Sequence, residues 1–571
     1  MSLSLRGYEW TLSPVDETSV VRLMASTDLS PIAARCLAPR IPDAVDDPVR
    51  WLRPGLDALH DPFLMHDMTR AIARLEQAIE NKERVRIITD YDVDGTTSSL
   101  ILQAALQLHA PELSVDYHIP HRFNEGYGFS EVAAQKAAAD GVGLIITADI
   151  GVRNHRSVQI AHEQGVDVLI CDHHLPAGAD VPEEAIVLCP PKMGCDYPNP
   201  ALAACGVSLK LASAMLAQHP KWDLILKSLL KLAAIGTVAD MVSLATTENR
   251  AIVIHGLASL SEGSHQGGLQ ALLDATGLIG RPVTAMDVGW KIGPRINAAG
   301  RLDDAMLIIK LLRSRDEEEI RRLIQRIESL NSARKQLQDG LIEKALKDVN
   351  VDDPPPFVLV AGQEPEGWHR GVVGIVAGRL RDQLQRPTAV VSIQGEEARG
   401  SMRSGPRFNA VAALDKAADL LIQHGGHPQA AGFTVATDQI DALRDQLIAH
   451  ALDDDPVTPV HPYDLALQAE QLDTNLIDDL EQLEPYGQRN ARPVFLIEGV
   501  RLQHINTIGK DGLRFTIPNP RRGIKAIWWK ALEHRAYLEA HPVDLLGSLE
   551  YNHWRGQKTL QFMVQDARAH S

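Results

Sequence analysis

Val85-Arg86-Ile87-Ile88-Thr89-Asp90-Tyr91-Asp92-Val93-Asp94-Gly95 joins an apolar run to a trio of carboxylates. The run reads as a buried strand, and the acids fall where it ends. The arrangement recurs. Residues 144–146 lead into Thr147-Ala148-Asp149-Ile150-Gly151, residues 168–170 lead to Asp172-His173-His174, and a helical pattern closes on Gly236-Thr237-Val238-Ala239-Asp240. In a parallel α/β sheet the carboxyl ends of the strands share one edge, so side chains remote in sequence gather there. The expected product is a cluster of hard oxygen and imidazole ligands able to hold two divalent metals.

Outward from that stretch, apolar strands at 85–89, 115–119, 144–147, 168–171 and 185–188 alternate with Ala-rich helical segments at 98–108, 131–139 and 156–164. This alternation predicts a parallel sheet covered on both faces. Helices are expected at 206–235 and 248–260, and a long connecting helix over 316–347, where Ile320, Leu323, Ile327, Leu330, Leu337 and Leu341 recur among dense charges. A second α/β unit comes after Pro354-Pro355-Pro356, with strands at 357–361 and 388–392 and helices at 373–384 and 410–422, punctuated by Gly425-Gly426-His427 and Ala431-Gly432-Phe433. Beyond residue 460, short strands at 493–497, 513–517, 524–528, 543–549 and 560–564 suggest an OB-like barrel. The fold class is therefore α/β: two α/β domains (81–312 and 350–455) joined by a long helix (313–349), a β-rich OB-like domain (460–571), and an N-terminal extension (1–80) packed on the domain next to it in the chain.

A chain of 571 residues with 45% hydrophobic content is large enough to need several cores. Its formal charge of −17 excludes a broadly basic surface but not a basic groove. Candidates for such a groove are Arg399, Arg403 and Arg407, and Arg521, Arg522 and Lys525. The odd count of 5 cysteines, without a C-x-x-C pair, supports neither a disulfide framework nor a zinc ribbon. The first residues carry no basic-then-apolar leader and no later run is long enough to span a membrane, so a cytoplasmic protein without membrane contact is expected.

Each motif also has a plainer reading. Asp90, Asp92 and Asp94 could cap a helix or a turn, although alternation on an extended segment would put all three carboxylates on one face. Asp149 could be a cap. Asp240 at a helix end opposes the macrodipole, which hints at another use. Adjacent imidazoles behind a buried strand make poor core residues. Together, carboxylates and imidazole without thiolate favour Mn²⁺ or Mg²⁺, and paired ions favour hydrolysis of a phosphoester.

These residues resemble the DHH phosphoesterase superfamily, and Gly425-Gly426-His427-Pro428-Gln429-Ala430-Ala431-Gly432 is similar to the glycine-rich motif of its associated second domain. The resemblance is closest to the RecJ family of single-strand-specific exonucleases, supported by Tyr117-His118-Ile119-Pro120-His121-Arg122, Glu125-Gly126-Tyr127-Gly128, Gly293-Pro294-Arg295-Ile296-Asn297-Ala298-Ala299-Gly300-Arg301, Trp368-His369-Arg370-Gly371-Val372-Val373-Gly374 and Gly487-Gln488-Arg489-Asn490. It implies two ions bridged by Asp149, with Asp94, His173 and Asp240 completing one site and Asp92 and Asp90 at the other. It further implies that His174 faces the scissile phosphate, that Asp172 orients its neighbours, and that Arg295, Ser401, Arg403 and His427 hold substrate phosphates. Tyr117 would stack on a base or close a core, and Arg301 would bind phosphate or form a surface ion pair. The chain departs from the family pattern at Arg489-Asn490-Ala491-Arg492, where relatives commonly carry Gly-Asn-Pro.

The activity implied is 5′→3′ digestion of single-stranded DNA to 5′-mononucleotides in recombination and repair, by a monomer partnered by a single-strand-binding protein and a helicase. A small-substrate phosphodiesterase for short oligonucleotides or cyclic dinucleotides is the alternative; a non-catalytic scaffold is disfavoured because each expected ligand is present. The β-rich sequence after residue 460 separates the first two readings, with Trp528, Trp529 and Trp554 beside Arg521, Arg522 and Arg555 as either a stacking platform or core.

Overall fold

A computed structural model describes residues 3–43, 45–120, 128–176, 178, 180–452, 459–520, 523–554 and 557–570, with the backbone alone at 553, 554 and 557. Residues 121–127 of the supporting motifs, Arg521, Arg522, Arg555 and the side chain of Trp554 therefore lie outside the described residues. The chain separates into two units, one of residues 1–293 with 458–571 and one of residues 294–457.

In the first unit, β1 (Glu9–Leu12) and three short helices, α1 (Glu17–Ser26), α2 (Pro31–Leu37) and α3 (Pro48–Leu52), precede α4 (Met68–Glu80). Then β2 (Arg84–Thr89), α5 (Val93–His109), β3 (Val115–His118), α6 (Glu131–Ala139), β4 (Val142–Ala148), α7 (His155–Glu163), β5 (Asp167–Cys171) and β6 (Ala185–Leu188) alternate as the sequence predicts. The strands form an all-parallel sheet ordered β3-β2-β4-β5-β6. Period-2 alternation sorts its side chains: Val85, Ile87, Leu144 and Ile146 pack with α8 (Ala204–Leu216) and α9 (Trp222–Ala239), while Ile88, Ile145 and Ile170 pack with α6 and α7. The helix expected over 206–235 is thus two helices, broken around His219-Pro220. α10 (Thr247–Ser261), α11 (Gly267–Ala275) and α12 (Ala285–Asp287) come next, then a π-helical turn, Val288–Ile292.

The second unit opens with α13 (Gly293–Leu302) and α14 (Met306–Arg313) and continues into the long α15 (Glu317–Ala345). Asp316 caps α15 by accepting from the Glu318 and Glu319 amides, and the acidic first turn suits the positive end of the helix dipole. β7 (Val358–Gln363), α16 (Val373–Leu384), β8 (Thr388–Gln394), β9 (Glu397–Arg403), α17 (Ala410–Lys416), β10 (Leu421–His427), β11 (Ala430–Ala436) and α18 (Ile440–Leu452) complete it. Its sheet runs β10-β11-β9-β8-β7. Two expectations are corrected here. The helix over 410–422 ends at Lys416, and the glycine-rich stretches read as punctuation are the paired strands β10 and β11. Glycine and alanine hide strand character because they lack the branched side chains that signal it; the adjoining β9 likewise needs a glycine, since a Cβ at Gly400 would enter the ring of Phe433 on β11.

Residues from 459 return to the first unit as β12 (Val460–Tyr463), β13 (Leu465–Leu467), α19 (Thr474–Glu481), β14 (Phe495–Val500), β15 (Gln503–Ile508), β16 (Gly512–Ile517), β17 (Ile524–Trp528), α20 (Arg535–Ala540), β18 (Val543–Trp554) and β19 (Gln557–Ala569). The last seven strands form one sheet, ordered β13-β14-β18-β19-β17-β16-β15. β1 pairs in parallel with β12, and Val20, Leu23, Leu37 and Trp51 share a core with Phe495, Phe515, Trp528 and Phe562. The N-terminal extension therefore serves two cores: residues from Trp51 through α4 pack on the neighbouring α/β domain, with the His60 amide donating to Glu248 and Met65 and Met68 in its apolar cluster, while residues from Val20 to Leu52 also complete the C-terminal core. Arg250, fully buried, fastens the join: its Nε donates to the Trp51 carbonyl at 2.8 Å, its Nη2 to the Glu484 carbonyl at 2.9 Å, and its guanidinium lies 3.7 Å over the Trp51 ring. Trp528 is core, whereas Trp529 is 47% exposed.

Candidate metal centre

The strand β2 ends at Thr89 and the chain turns at once into α5, so the Asp90–Asp94 segment is not the extended ladder that alternation suggests. Asp92 is the N-cap of α5, its Oδ1 accepting from the Gly95 amide at 3.0 Å, and Asp94 lies in the first helical turn. The plainer capping role and the cluster coexist. Gly95 is required because a Cβ there would collide with the Asp90 carbonyl. The buried Asp94 carboxylate is gripped on both oxygens by the start of α8: Oδ2 accepts from the Ala204 amide at 2.7 Å and Oδ1 from the Cys205 amide at 2.9 Å. That grip was not foreseen from sequence; the abrupt onset of an apolar helix at Ala203-Ala204-Cys205 was its only signal.

Asp149 follows β4 with a left-handed backbone, φ 63°, a conformation that costs free energy in a non-glycine residue and is a feature of functional sites. Asp172 follows β5 and uses every oxygen locally. Its Oδ1 accepts from the His174 ring at 2.8 Å and the His173 amide at 2.8 Å, and its Oδ2 accepts from the Val152 amide at 3.0 Å. Asp172 thereby fixes the ring of His174 and leaves Nε2 as the outward nitrogen. Asp240 caps the C-terminal end of α9, where its negative charge gains nothing from the helix. Behind it Gly236 is dictated by crowding, since a Cβ there would lie 2.5 Å from Cys205 Sγ and 2.9 Å from Asp94 Oδ1.

The side chains predicted as metal ligands converge. Ligand atoms of Asp94, His173 and Asp240, of Asp90, Asp92 and Asp149, and of Asp149, His173 and His174 each lie within 4.8 Å of one another. Asp149 belongs to two of these trios, and His173 to two. His173 Nε2 sits 3.3 Å from Asp149, 3.6 Å from Asp240 and 3.9 Å from Asp94, buried and with no hydrogen-bond partner.

The electrostatics suit cations. Burial, then the charges of Asp92, Asp94 and Asp90, holds the Asp149 carboxyl well above the ordinary range. Burial, with Asp94 and Asp92, pushes Asp240 up to about 8, and Asp94 is raised chiefly by burial. Asp172 behaves oppositely: burial alone would raise it, but the hydrogen bond and charge of His174 bring it down to about 2. Burial would likewise depress His174, yet Asp172 outweighs it and lifts the imidazole to about 8. Carboxylates that repel one another beside an unpartnered imidazole fit hard divalent ions, Mn²⁺ or Mg²⁺.

The residues expected to hold phosphate lie in the second unit. Ser401 and Arg403 project from one face of β9, and Arg403 Nη1 donates to Ser401 Oγ at 3.0 Å. The register His427↔Ala430↔Arg403 puts His427 on that same face, and Ser401↔Gly432↔Gly425 lays a floor without side chains beside them. Arg295 is in a two-pronged ion pair with Glu328, and Arg301 donates to the Gly371 carbonyl. Tyr117, on β3, lies half-buried against the apolar cluster of Val85 and Ile87. In the departure at residue 489, Arg489 has φ 64°, the conformation glycine adopts without strain. Asn490 is buried there and donates to the carbonyls of Leu483 and Pro485.

Three family models match in order: DHH family, N-terminal domain, over residues 84–237; DHHA1 domain over 356–451; and RecJ OB domain over 463–566. The chain is similar to the single-stranded-DNA-specific exonuclease RecJ of Bacillus subtilis, 34% identical over 566 residues that cover 98% of this chain and 70% of that one. Among solved structures it resembles RecJ of Thermus thermophilus in complex with Mn²⁺, with a TM-score of 0.83, 29% identity and coverage of 99% of this chain and 80% of the other. The same protein in complex with Mg²⁺ matches with a TM-score of 0.77 and 28% identity, over 99% of this chain and 79% of the other. Sequence kinship along almost the whole length, all three domains in their order and a donor cluster suited to the ions those relatives carry lead to one conclusion: the chain belongs to the RecJ family.

Proposed function

We propose that this chain is a single-stranded-DNA-specific exonuclease that works 5′→3′, hydrolysing phosphodiester bonds with two divalent ions and releasing 5′-mononucleotides. The observation that carries the reading is the set of three overlapping ligand trios, two sharing Asp149 and two sharing His173, at the carboxyl edge of the β3-β2-β4-β5-β6 sheet, in a chain of this family. Asp94, His173 and Asp240 would hold one ion and Asp90 with Asp92 the other, with Asp149 shared. When bound, such ions supply Lewis-acid polarisation of a phosphate and of the attacking water. The protein supplies the rest. Asp94 is locked by the start of α8 and His174 by Asp172, so both enter the reaction already oriented. A protonated His174 presents Nε2–H as a donor to a phosphoryl oxygen on which negative charge accumulates. Ser401, Arg403 and His427, on the open floor of the second sheet, offer donors for a terminal 5′-phosphate. A single-strand-binding protein and a helicase are the partners proposed with this reading.

Digestion of 5′- and 3′-labelled single- and double-stranded oligonucleotides with Mn²⁺ or Mg²⁺ tests it. Mononucleotides released from the 5′ end of single strands, with blunt duplex resistant, are expected; release from the 3′ end overturns the polarity. Activity confined to dinucleotides or cyclic dinucleotides would favour the small-substrate alternative.

A further inference from the structure

Arg153 lies on the loop that leaves Asp149, and its side chain reaches the loop that carries the two histidines. Its Nε donates to the Leu175 carbonyl at 2.8 Å and its Nη2 to the same oxygen at 2.5 Å. Beside it the Val152 amide donates to Asp172 at 3.0 Å, and Asp172 in turn fixes the ring of His174. Two ligand-bearing loops of the first unit are thus joined twice, once through a buried carboxylate and once through an exposed guanidinium. The second junction is unlike the first because a carbonyl accepts without neutralising. Nε with one hydrogen of Nη2 forms the lateral edge of the guanidinium, so a single carbonyl there leaves the terminal edge, Nη1 with the other hydrogen of Nη2, open for a two-pronged contact. Arg153 forms no ion pair among the described residues.

A fixed cation at this place has a use. The ligand trios contain five carboxylates, Asp90, Asp92, Asp94, Asp149 and Asp240. Five negative charges against the four positive charges of two divalent ions leave the centre one negative charge in excess, and a strand of phosphates approaching it needs cations alongside. A planar guanidinium fork suits the oxygens of a phosphodiester. In the nuclease reading the terminal 5′-phosphate falls to Ser401, Arg403 and His427, and an enzyme that releases mononucleotides leaves every other phosphate on the 3′ side of the bond it cuts. We propose that Arg153 binds, through its open fork, a backbone phosphate of the single strand within two linkages 3′ of the scissile bond, with the Leu175 carbonyl as the group that aims it. The proposal rests on the nuclease reading and adds a residue outside its motifs.

Release of the first nucleotide is measured with Mn²⁺ on 5′-phosphorylated oligothymidylates of about 12 nucleotides, each carrying one uncharged methylphosphonate at linkage two, three, four or five, the first linkage being the one cut. Arg153→Gln keeps a donor for the Leu175 carbonyl and loses the charge, so it should melt with wild type yet lose about 10-fold in kcat/KM on the all-phosphate strand, in KM more than in kcat. A methylphosphonate at linkage two or three should lower wild type by a similar factor and lower Arg153→Gln no further, whereas at the remaining linkages both proteins should lose equally. Anisotropy in EDTA, where nothing is digested, should show the slope of log affinity against log salt reduced by about 0.7 in the variant. Arg156→Gln is the control, an exposed arginine on α7 whose Nη1 donates to Gln159, and it should show no such coupling. Losses that multiply at every linkage, coupling at linkage four or five alone, or equal coupling in Arg156→Gln overturn the site. So does Arg153→Gln digesting like wild type while Arg153→Ala melts lower, the result expected of a residue that only holds Leu175. A wild-type protein that leaves single strands undigested would instead overturn the nuclease reading.

Discussion

Glu248 and Asp149 are both buried carboxylates of the first unit, 1% and 3% exposed, yet their surroundings are opposite in kind. Glu248 faces Lys210 at 2.5 Å, accepts from the Tyr197 hydroxyl at 2.8 Å and the His60 amide at 2.9 Å, and receives Asn199 at 3.1 Å on its other oxygen. Its charge is matched and its lone pairs are filled. Asp149 is instead surrounded by Asp90, Asp92, Asp94 and Asp240, and burial with their repulsion drives its carboxyl toward protonation. Burial by itself therefore says nothing of role. A buried charge that the fold neutralises belongs to the scaffold, and one that the fold leaves in conflict marks a place where a ligand must complete the structure.

The sharpest break in this comparison comes from removing each carboxylate in turn. Asp149→Ala should lower the rate of single-strand digestion at least ~10³-fold, equivalent to ~4 kcal/mol of barrier, while metal-free protein melts no earlier than wild type. Near-normal rates would show that the conflict has another purpose. Glu248→Ala should do the reverse, costing about 3 kcal/mol of stability by stranding Lys210, with activity per folded molecule retained; chemical denaturation and a rate normalised to folded protein measure both. Metal supplies the next contrast. Mn²⁺ at about 100 times its dissociation constant should stabilise wild type by about 2.7 kcal/mol, Glu248→Gln should keep that increment, and Asp149→Ala should lose most of it, as read by thermal melts with and without chelator. The smallest effect sets the scale of strain outside both clusters. Arg489→Gly relieves a left-handed arginine and should add no more than about 1 kcal/mol; a loss would mean the arginine side chain contributes more than its backbone costs.

The edge of the first sheet was legible because each strand is an apolar run and each site motif begins immediately after one, so local sequence and long-range convergence coincide at Asp90, Asp149 and Asp172. α16 was readable to its ends for a similar reason, its apolar residues following helical spacing. What escaped was non-local or disguised. The grip on Asp94 joins residues 110 apart, and nothing near Asp94 announces it. β10 and β11 carry few branched side chains, and their glycines lay the bare floor beside Ser401. The extended reading of Asp90 to Asp94 failed because an N-cap and a strand end use the same residue type.

The core shared by Trp51 and Phe495 also has a history written in time. At roughly 5–20 residues per second, a ribosome that has released Leu52 needs on the order of 20–90 s to reach Phe495. Throughout that interval Leu23, Leu37 and Trp51 have no Phe515, Trp528 or Phe562 to cover them, although α4 and the parallel sheet after it can already condense. The early segment must be shielded or wait as an adhesive coil while the middle of the protein matures, and pulse-labelled chains should gain protease resistance at Val20 to Leu52 last.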